Sequence, residues 1–108
     1  MKKRMLFRQG DVLIERVDSM PKPGTEIDRE SDGATVLALG ETTGHRHAIH
    51  NENVCFLSVE GTTDRFLMIP EFAKLVHEEH GEILLPAGFF RVRIQREYQP
   101  AGIVNVAD

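Results

Sequence analysis

The sequence predicts a small all-β domain, either a β-barrel or a roll of two sheets, on three observations. Short runs rich in β-branched and aromatic residues recur along the chain, with glycine- or proline-containing turns between them. The run at residues 89–96 alternates apolar and polar side chains, as expected of a strand with one buried face. The chain has 108 residues, enough for one hydrophobic core, so residues 1–108 are expected to form a single domain.

Three strands are predicted in the first half of the chain. Residues 11–17 form a β-rich run that a loop with two prolines and a glycine ends at residues 18–24. Residues 34–39 form a run that is apolar except for Thr35 and that ends at Gly40. Residues 54–59 form the third run, which ends at a Glu-Gly pair.

Three further strands are predicted in the second half. Residues 65–69 form a strand that Pro70 closes, because proline cannot donate to a strand ladder. Residues 82–85 lead into a Pro-Ala-Gly turn at residues 86–88, and the last strand, residues 89–96, follows. With the additional segments between them, the chain holds six to eight short strands, which is typical of a barrel or roll.

Residues 70–81 fit both a helix and a strand. An early proline, an acid in the first turn and a glycine at the end favour a helix, which would place His77 and His80 side by side. The alternation of Ala73, Leu75 and His77 favours a strand that turns back into the next one. The strand is the preferred interpretation, because it makes a hairpin in keeping with the rest of the chain.

Composition and charge limit the classes of function. A net charge of −4 and a pI of about 5.7 argue against a general nucleic-acid coat protein. The one cysteine, Cys55, excludes an internal disulfide, and no signal peptide is recognised, so a cytoplasmic location is expected. No run approaches the roughly 20 apolar residues of a membrane span, so no membrane partner is expected. The sequence leaves homo-oligomerisation open.

Four of the five histidines fall into two tight clusters. His45 and His47 are separated by one residue, so on a strand both imidazoles point to the same face. His77 and His80 enclose two glutamates. Neutral imidazole is a common ligand of transition metals, and nothing in the sequence indicates redox ligation. The pattern therefore predicts a site for a divalent transition metal, zinc above all; the alternative is that the histidines are polar surface residues.

The predicted ligands are His45, His47, His77 and His80. Glu52 is a substitute for any one of them, and His50 is expected to be a bystander because it is out of phase with the first pair. A closed shell of four ligands would be structural, whereas three ligands and a water would leave a position for chemistry. In the second case Glu78 or Glu79 would act as the catalytic base.

A second constellation is basic. Arg91 and Arg93 occupy alternate positions of the last predicted strand, where they could hold a phosphate or carboxylate of a substrate. The alternative is a solvated strand face, paired with Glu15 or Glu82 across the sheet.

Part of the chain resembles the two cupin motifs. The first motif, a glycine, an HxH triplet, a glutamate and a glycine, is matched in order by Gly40, His45, His47, Glu52 and Gly61. The places of the second motif are taken by Gly81, Pro86, Gly88, Arg91 and Gln95. The resemblance implies a small β-barrel that holds iron, nickel or manganese through His45, His47 and Glu52. Arg91 stands where that family has its fourth ligand.

Two other resemblances imply different functions. Residues 11–17 and 36–40 are similar to the opening strands of the co-chaperonin barrel, which implies a ring-forming adaptor without a metal. The runs TGHRHA at residues 43–48 and HEEHGEILLPAGFFRVRIQREY at residues 77–98, with the closing residues 106–108, resemble a small family of bacterial and phage proteins. That family has no assigned activity.

Two hypotheses of function follow. The first is a metal-dependent hydrolase that acts on an anionic small molecule or nucleic acid. In it His45, His47 and His77 hold the ion, one glutamate of the second cluster is the base, and the two arginines hold the anion. The second is a non-enzymatic binding module or ring-forming adaptor, whose histidines are structural or surface groups.

Overall fold

The computed structural model describes residues 5–21, 24–40 and 44–95, and within them it contains eight β-strands and no helix. The prediction of an all-β fold is confirmed. The strands are β1 (Leu6–Gln9), β2 (Val12–Val17), β3 (Thr25–Glu26), β4 (Thr35–Leu39), β5 (Arg46–Ile49), β6 (Cys55–Ser58), β7 (Arg65–Val76) and β8 (Ile83–Ile94). Residue 96, at the end of the last predicted strand, and the closing residues 106–108 lie outside the described residues.

The eight strands belong to one antiparallel sheet, which is not closed into a barrel over the described residues. Its main path runs in the order β1-β2-β8-β7-β5-β4, and β6 pairs with β7 while β3 pairs with β6. The first part of β7 pairs with β6, and its last residues pair with β5. The sheet therefore branches along β7, which carries β5 and β6 at its two ends.

Strands β7 and β8 form one hairpin of two 12-residue strands, with Leu75 opposite Ile83. The helix alternative for residues 70–81 is therefore wrong and the strand is confirmed. The predicted strand end at Pro70 and the predicted turn at residues 86–88 are wrong, because β7 and β8 continue through these positions.

A β-bulge lets β7 and β8 continue through these prolines. Ile69 pairs with Gly88 and Phe72 pairs with Pro86, so two residues of β7 lie opposite one residue of β8. A bulge tolerates proline, because the extra residues make no ladder hydrogen bond. Pro70 and the Pro-Ala-Gly run at residues 86–88 were predicted to end strands. They lie instead at a bend inside two continuous strands.

The hydrophobic core lies against one face of the sheet and is mostly aliphatic. In β2, Val12 and Ile14 are buried, and in β8, Phe90 and Val92 are buried while Arg93 is exposed. The largest fully buried side chains of the other strands are Leu37, Ile49, Phe56, Leu67, Ile69, Leu75 and Leu85. Each such side chain contributes about 1.5–3 kcal/mol through burial. No helix in the described part of the chain is long and apolar enough to cross a membrane.

Candidate metal centre

Four histidines from two distant segments meet beside the β1–β2 turn. His45 directly precedes β5 and His47 is its second residue, and His77 and His80 come from the turn that joins β7 to β8. The ring centroid of His77 lies 4.3 Å from that of His47, 4.5 Å from that of His80 and 5.5 Å from that of His45. The rings of His47 and His80 are 5.8 Å apart. These four residues are called the histidine cluster below.

The backbone of the β4–β5 hairpin aims the first two rings. Because side chains alternate along a strand, His45 and His47 leave the same side of the chain, and both rings lie within reach of His77. Val36 pairs with Ala48 but Ala38 pairs with His47, so β4 carries one extra residue directly opposite the site. Such a bulge bends a strand and redirects the neighbouring side chains.

Two glycines leave room for the rings. Gly10, in the β1–β2 turn, has a φ of +59°, and a Cβ atom there would lie 2.8 Å from Nε2 of His80. At Gly40 a Cβ atom would lie 2.9 Å from Nε2 of His77 and equally close to Cβ of His45. Any side chain at either position would push an imidazole away, so the cluster packs directly on these two stretches of backbone.

The acidic residues of the second cluster lie at its rim. Glu78 is exposed, and its Oε1 accepts a hydrogen bond of 2.9 Å from the backbone N–H of Arg46, which lowers the pKa of the carboxyl. Ligand atoms of His45, His77 and Glu78 all lie within 4.8 Å of one another. Glu79 places Oε1 3.6 Å from Nδ1 of His45, a buried atom that has no hydrogen-bond partner among the described residues.

His77 organises the turn that carries it. Its Nδ1 accepts hydrogen bonds from the backbone N–H groups of Glu79, at 3.0 Å, and of His80, at 3.4 Å. The proton of the neutral ring therefore sits on Nε2 in this arrangement. To bind an ion, His77 has to change its tautomer or exchange these hydrogen bonds for the metal.

Burial keeps the centre of the cluster uncharged. His47 is 2% exposed, and the pKa of its imidazole is lowered to about 4. Burial is the main cause, and repulsion from His77 is the next. Burial also lowers the pKa of His77, with repulsion from His80 as the next cause. Near neutral pH both rings are therefore neutral, which is the form that binds a metal.

Other predicted site residues lie elsewhere. Glu52 is exposed in the turn after β5 and does not belong to the group of ligand atoms around His45. His50 is exposed one residue beyond β5, on the side of that strand opposite to His47. The prediction of a bystander agrees with that position, and Glu52 stays a predicted ligand without a structural contact to support it.

Arg91 and Arg93, called the arginine pair below, lie opposite β2 and alternate with the buried Phe90 and Val92. Arg91 donates a hydrogen bond of 2.5 Å to Oε1 of Glu15, its cross-strand partner, and Arg93 approaches the same oxygen at 3.9 Å. Arg91 also lies 3.8 Å from a carboxylate oxygen of Asp64. Arg91 is thus held by carboxylates of the protein itself and Arg93 lies near one of them, while Nε of Arg91 is buried without a hydrogen-bond partner among the described residues.

Sequence reasoning missed the contribution of the β1–β2 turn. Oε1 of Gln9 lies 2.8 Å from Nδ1 of His47, and Oδ1 of Asp11 lies 3.9 Å from Nε2 of the same ring. Gly10 lies between them against His80. A Gln-Gly-Asp turn has no metal-ligand spacing, so no signal in a single sequence connects it with histidines far along the chain.

The fold and this site define an all-β protein with a histidine cluster at one end of its sheet. The chain belongs to a family that is described as a domain of unknown function, DUF8820, whose model matches residues 8–95. Membership in an uncharacterised family is therefore confirmed. Comparisons with curated proteins and with solved structures gave no match. The resemblances to cupins and co-chaperonins, and a bacterial or phage origin, stay predictions.

Proposed function

We propose that this protein binds a divalent transition metal ion, zinc above all, in the histidine cluster. The supporting observation is that each of the four imidazole rings has a neighbouring ring whose centroid lies 4.3–5.8 Å away, with His77 in contact with the other three. Two imidazoles on one tetrahedral zinc ion, with Zn–N bonds of about 2.0–2.1 Å, have centroids roughly 5 Å apart. Nitrogen donors with carboxylate oxygens beside them also match the ligand preference of zinc.

His45, His77 and Glu78 are the proposed first ligands, because their ligand atoms already lie within 4.8 Å of one another. Ligand atoms on one tetrahedral ion lie about 3.4 Å apart, so the distances within the group have to shorten by up to about 1.4 Å. His47 and His80 stand next to His77 and are the further ligands of the proposal.

A metal-dependent hydrolase is the second candidate. Glu78 and Glu79 are both exposed, so one side of the centre is open to solvent, and an open position on an ion can hold a water. Of the two, Glu79 fits the base better, because Glu78 is already a proposed ligand and its Oε1 accepts a hydrogen bond from the backbone N–H of Arg46. The contacts of the arginine pair with Glu15 give no support to a role in holding the substrate anion.

Elemental analysis of the full chain, purified without an affinity tag and dialysed against zinc, tests the proposal. About one bound ion per chain is expected, and His77→Ala should lose most of it. His50→Ala is the matched control, because it removes an exposed histidine outside the cluster. Only trace metal in the natural protein would contradict metal binding.

Melting with and without a chelator then separates the two roles of a bound ion. A large loss of thermal stability on chelation indicates a structural ion, since its binding free energy is folding free energy. A small loss, together with hydrolysis of an anionic ester, indicates the hydrolase. A small loss without hydrolysis supports a non-enzymatic binding module.

A further inference from the structure

Gln9 is a buried polar residue at the centre of the site that the proposed function does not use. It is the last residue of β1, is 2% exposed, and pairs with Val12 across the β1–β2 turn. Its side-chain amide makes three polar contacts, all with residues far away in the sequence. A buried amide with all its contacts on the same site is a candidate for a positioning role.

The contacts fix which way the amide faces. Nε2 of Gln9 donates to the backbone carbonyl of Leu75 at 3.0 Å and to that of Gly81 at 2.9 Å. The flipped amide would turn its oxygen toward two carbonyl oxygens and lose both bonds, so only one orientation satisfies the group. The amide oxygen, Oε1, therefore faces His47.

An amide oxygen only accepts, so the atom opposite it must donate. Nδ1 of His47 lies 2.8 Å from Oε1 of Gln9, and a neutral imidazole carries one N–H group. That proton must therefore sit on Nδ1, which leaves the lone pair of His47 on Nε2. A hydrogen-bond partner on the other ring nitrogen sets the tautomer of a metal-binding histidine in this way.

We infer that Gln9 is a positioning residue of the candidate metal centre, which presents Nε2 of His47 as the metal-binding atom. The inference rests on the proposed function for its metal and on the amide contacts alone for the tautomer. His47 and His77 are then unlike: Nδ1 of His77 accepts two backbone hydrogen bonds, whereas Nε2 of His47 is already without a proton.

The same amide joins three segments of the site. Its bonds to Leu75 and Gly81 hold the end of β7 and the turn after it against the end of β1, while its oxygen holds β5 through His47. The turn between Leu75 and Gly81 carries His77 and His80. Gln9 thus sets the spacing between the two halves of the histidine cluster as well as the tautomer of one ring.

Nitrogen-15 NMR of the metal-free full chain tests the tautomer directly. In the natural protein at pH 7.5 we expect the His47 ring to carry its proton on Nδ1, with an unprotonated Nε2. A His47 ring that carries its proton on Nε2 overturns the inference. This measurement needs no substitution and no metal, so its result does not depend on the proposed function.

Two variants test the effect on metal binding. Gln9→Met removes the three polar contacts at similar volume, and Gln95→Met makes the same replacement at an exposed glutamine that bonds Arg8. We expect Gln9→Met to lose the fixed His47 tautomer and to bind zinc about 10–100-fold more weakly, the usual effect of losing such a partner. Gln95→Met should match the natural protein in both readouts.

The outcomes separate the two claims. If the natural protein binds no zinc but holds His47 with the proton on Nδ1, the metal proposal fails and the positioning by Gln9 stands. If the natural protein binds zinc and folded Gln9→Met keeps both its affinity and the His47 tautomer, the inference fails and the metal proposal stands. If Gln9→Met does not fold, the tautomer in the natural protein decides.

Discussion

The histidine cluster and the arginine pair are both groups of basic side chains, but their surroundings are opposite. Each arginine faces the carboxylate of Glu15 from the neighbouring strand, so the positive charges are matched within the sheet. The histidine rings mainly contact one another, with centroids as close as 4.3 Å. Carboxylates of Glu79 and Asp11 lie 3.6 Å from His45 and 3.9 Å from His47. The arginine pair is thus set against opposite charge across the sheet, although Nε of Arg91 is buried without a hydrogen-bond partner among the described residues, whereas the histidine cluster is built mainly from contacts between imidazole rings.

The difference arises from how each group is assembled. Strand register places Arg91 directly opposite Glu15, so the ion pair is a regular cross-strand contact. The histidines come from the beginning of one strand and the end of another, where turns rather than ladders set the positions. Loops and strand ends held by a rigid sheet are common places for functional groups.

The largest expected difference between the two groups is in their response to zinc. Zinc at about 100 times its Kd should raise the free energy of unfolding of the natural protein by about 2.7 kcal/mol. His45→Ala with His77→Ala should abolish this gain, whereas Arg91→Gln should keep it. Urea denaturation with and without zinc measures the effect. If zinc stabilised all three proteins equally, the histidine cluster would not differ from the arginine pair in binding zinc.

An effect of similar size is the pH dependence that His47 gives to the metal-free protein. Its pKa is lowered from about 6.5 in the unfolded chain to about 4, so the neutral ring stabilises the fold above pH 6.5. As the pH falls from 6.5 toward 4, about 3 kcal/mol of this stability should be lost. His47→Gln has no such ring, so the natural protein should lose stability relative to it over that window. If the stabilities of the natural protein and of His47→Gln changed equally with pH, the lowered pKa of His47 would be contradicted.

Gly10 and Gly33 form a matched pair for the packing of the cluster. Both have positive φ, +59° and +87°, but only at Gly10 would a Cβ atom meet a histidine ring. Alanine at either position should cost about 1 kcal/mol in backbone strain. Gly10→Ala should cost about 1–2 kcal/mol more, because it displaces His80. Thermal denaturation of the two variants measures the difference, and equal losses would show that His80 moves without cost.

The smallest expected effect belongs to the arginine pair. Glu15→Gln removes the nearest carboxylate, but Arg91 keeps Asp64 at 3.8 Å. Because the pair is partly solvated, the loss should be about 1 kcal/mol or less, and it should shrink at high salt. Calorimetric zinc affinity should stay the same. A changed zinc affinity would tie the arginine pair to the metal centre after all.

Local patterns predicted most of the fold. Period-two alternation identified the buried Val92 beside the exposed Arg93 and placed His45 and His47 on one side of β5. The hairpin at residues 78–81 also followed from the sequence. Pro70 and residues 86–88 led to wrong predictions of strand ends, because they lie at a bulge in the β7–β8 hairpin. A bulge depends on the partner strand, which a local pattern does not show.

The site could be predicted only in part, for a related reason. The histidines carry a residue-type signal, so His45, His47, His77 and His80 stood out without a structure. Gln9 carries none, because its role arises from contacts with β5 and with the end of β7 that no local pattern records. Supporting residues of this kind become visible only when the fold brings distant segments together.

Calorimetric titration of zinc into the metal-free full chain tests the central claim most directly. The natural protein and His50→Ala should each bind about one ion with the same affinity. His45→Ala with His77→Ala should bind at least about 100-fold more weakly, a loss of about 2.7 kcal/mol or more. Equal affinity in all three proteins, or no heat of binding in the natural one, would contradict a metal centre in the histidine cluster.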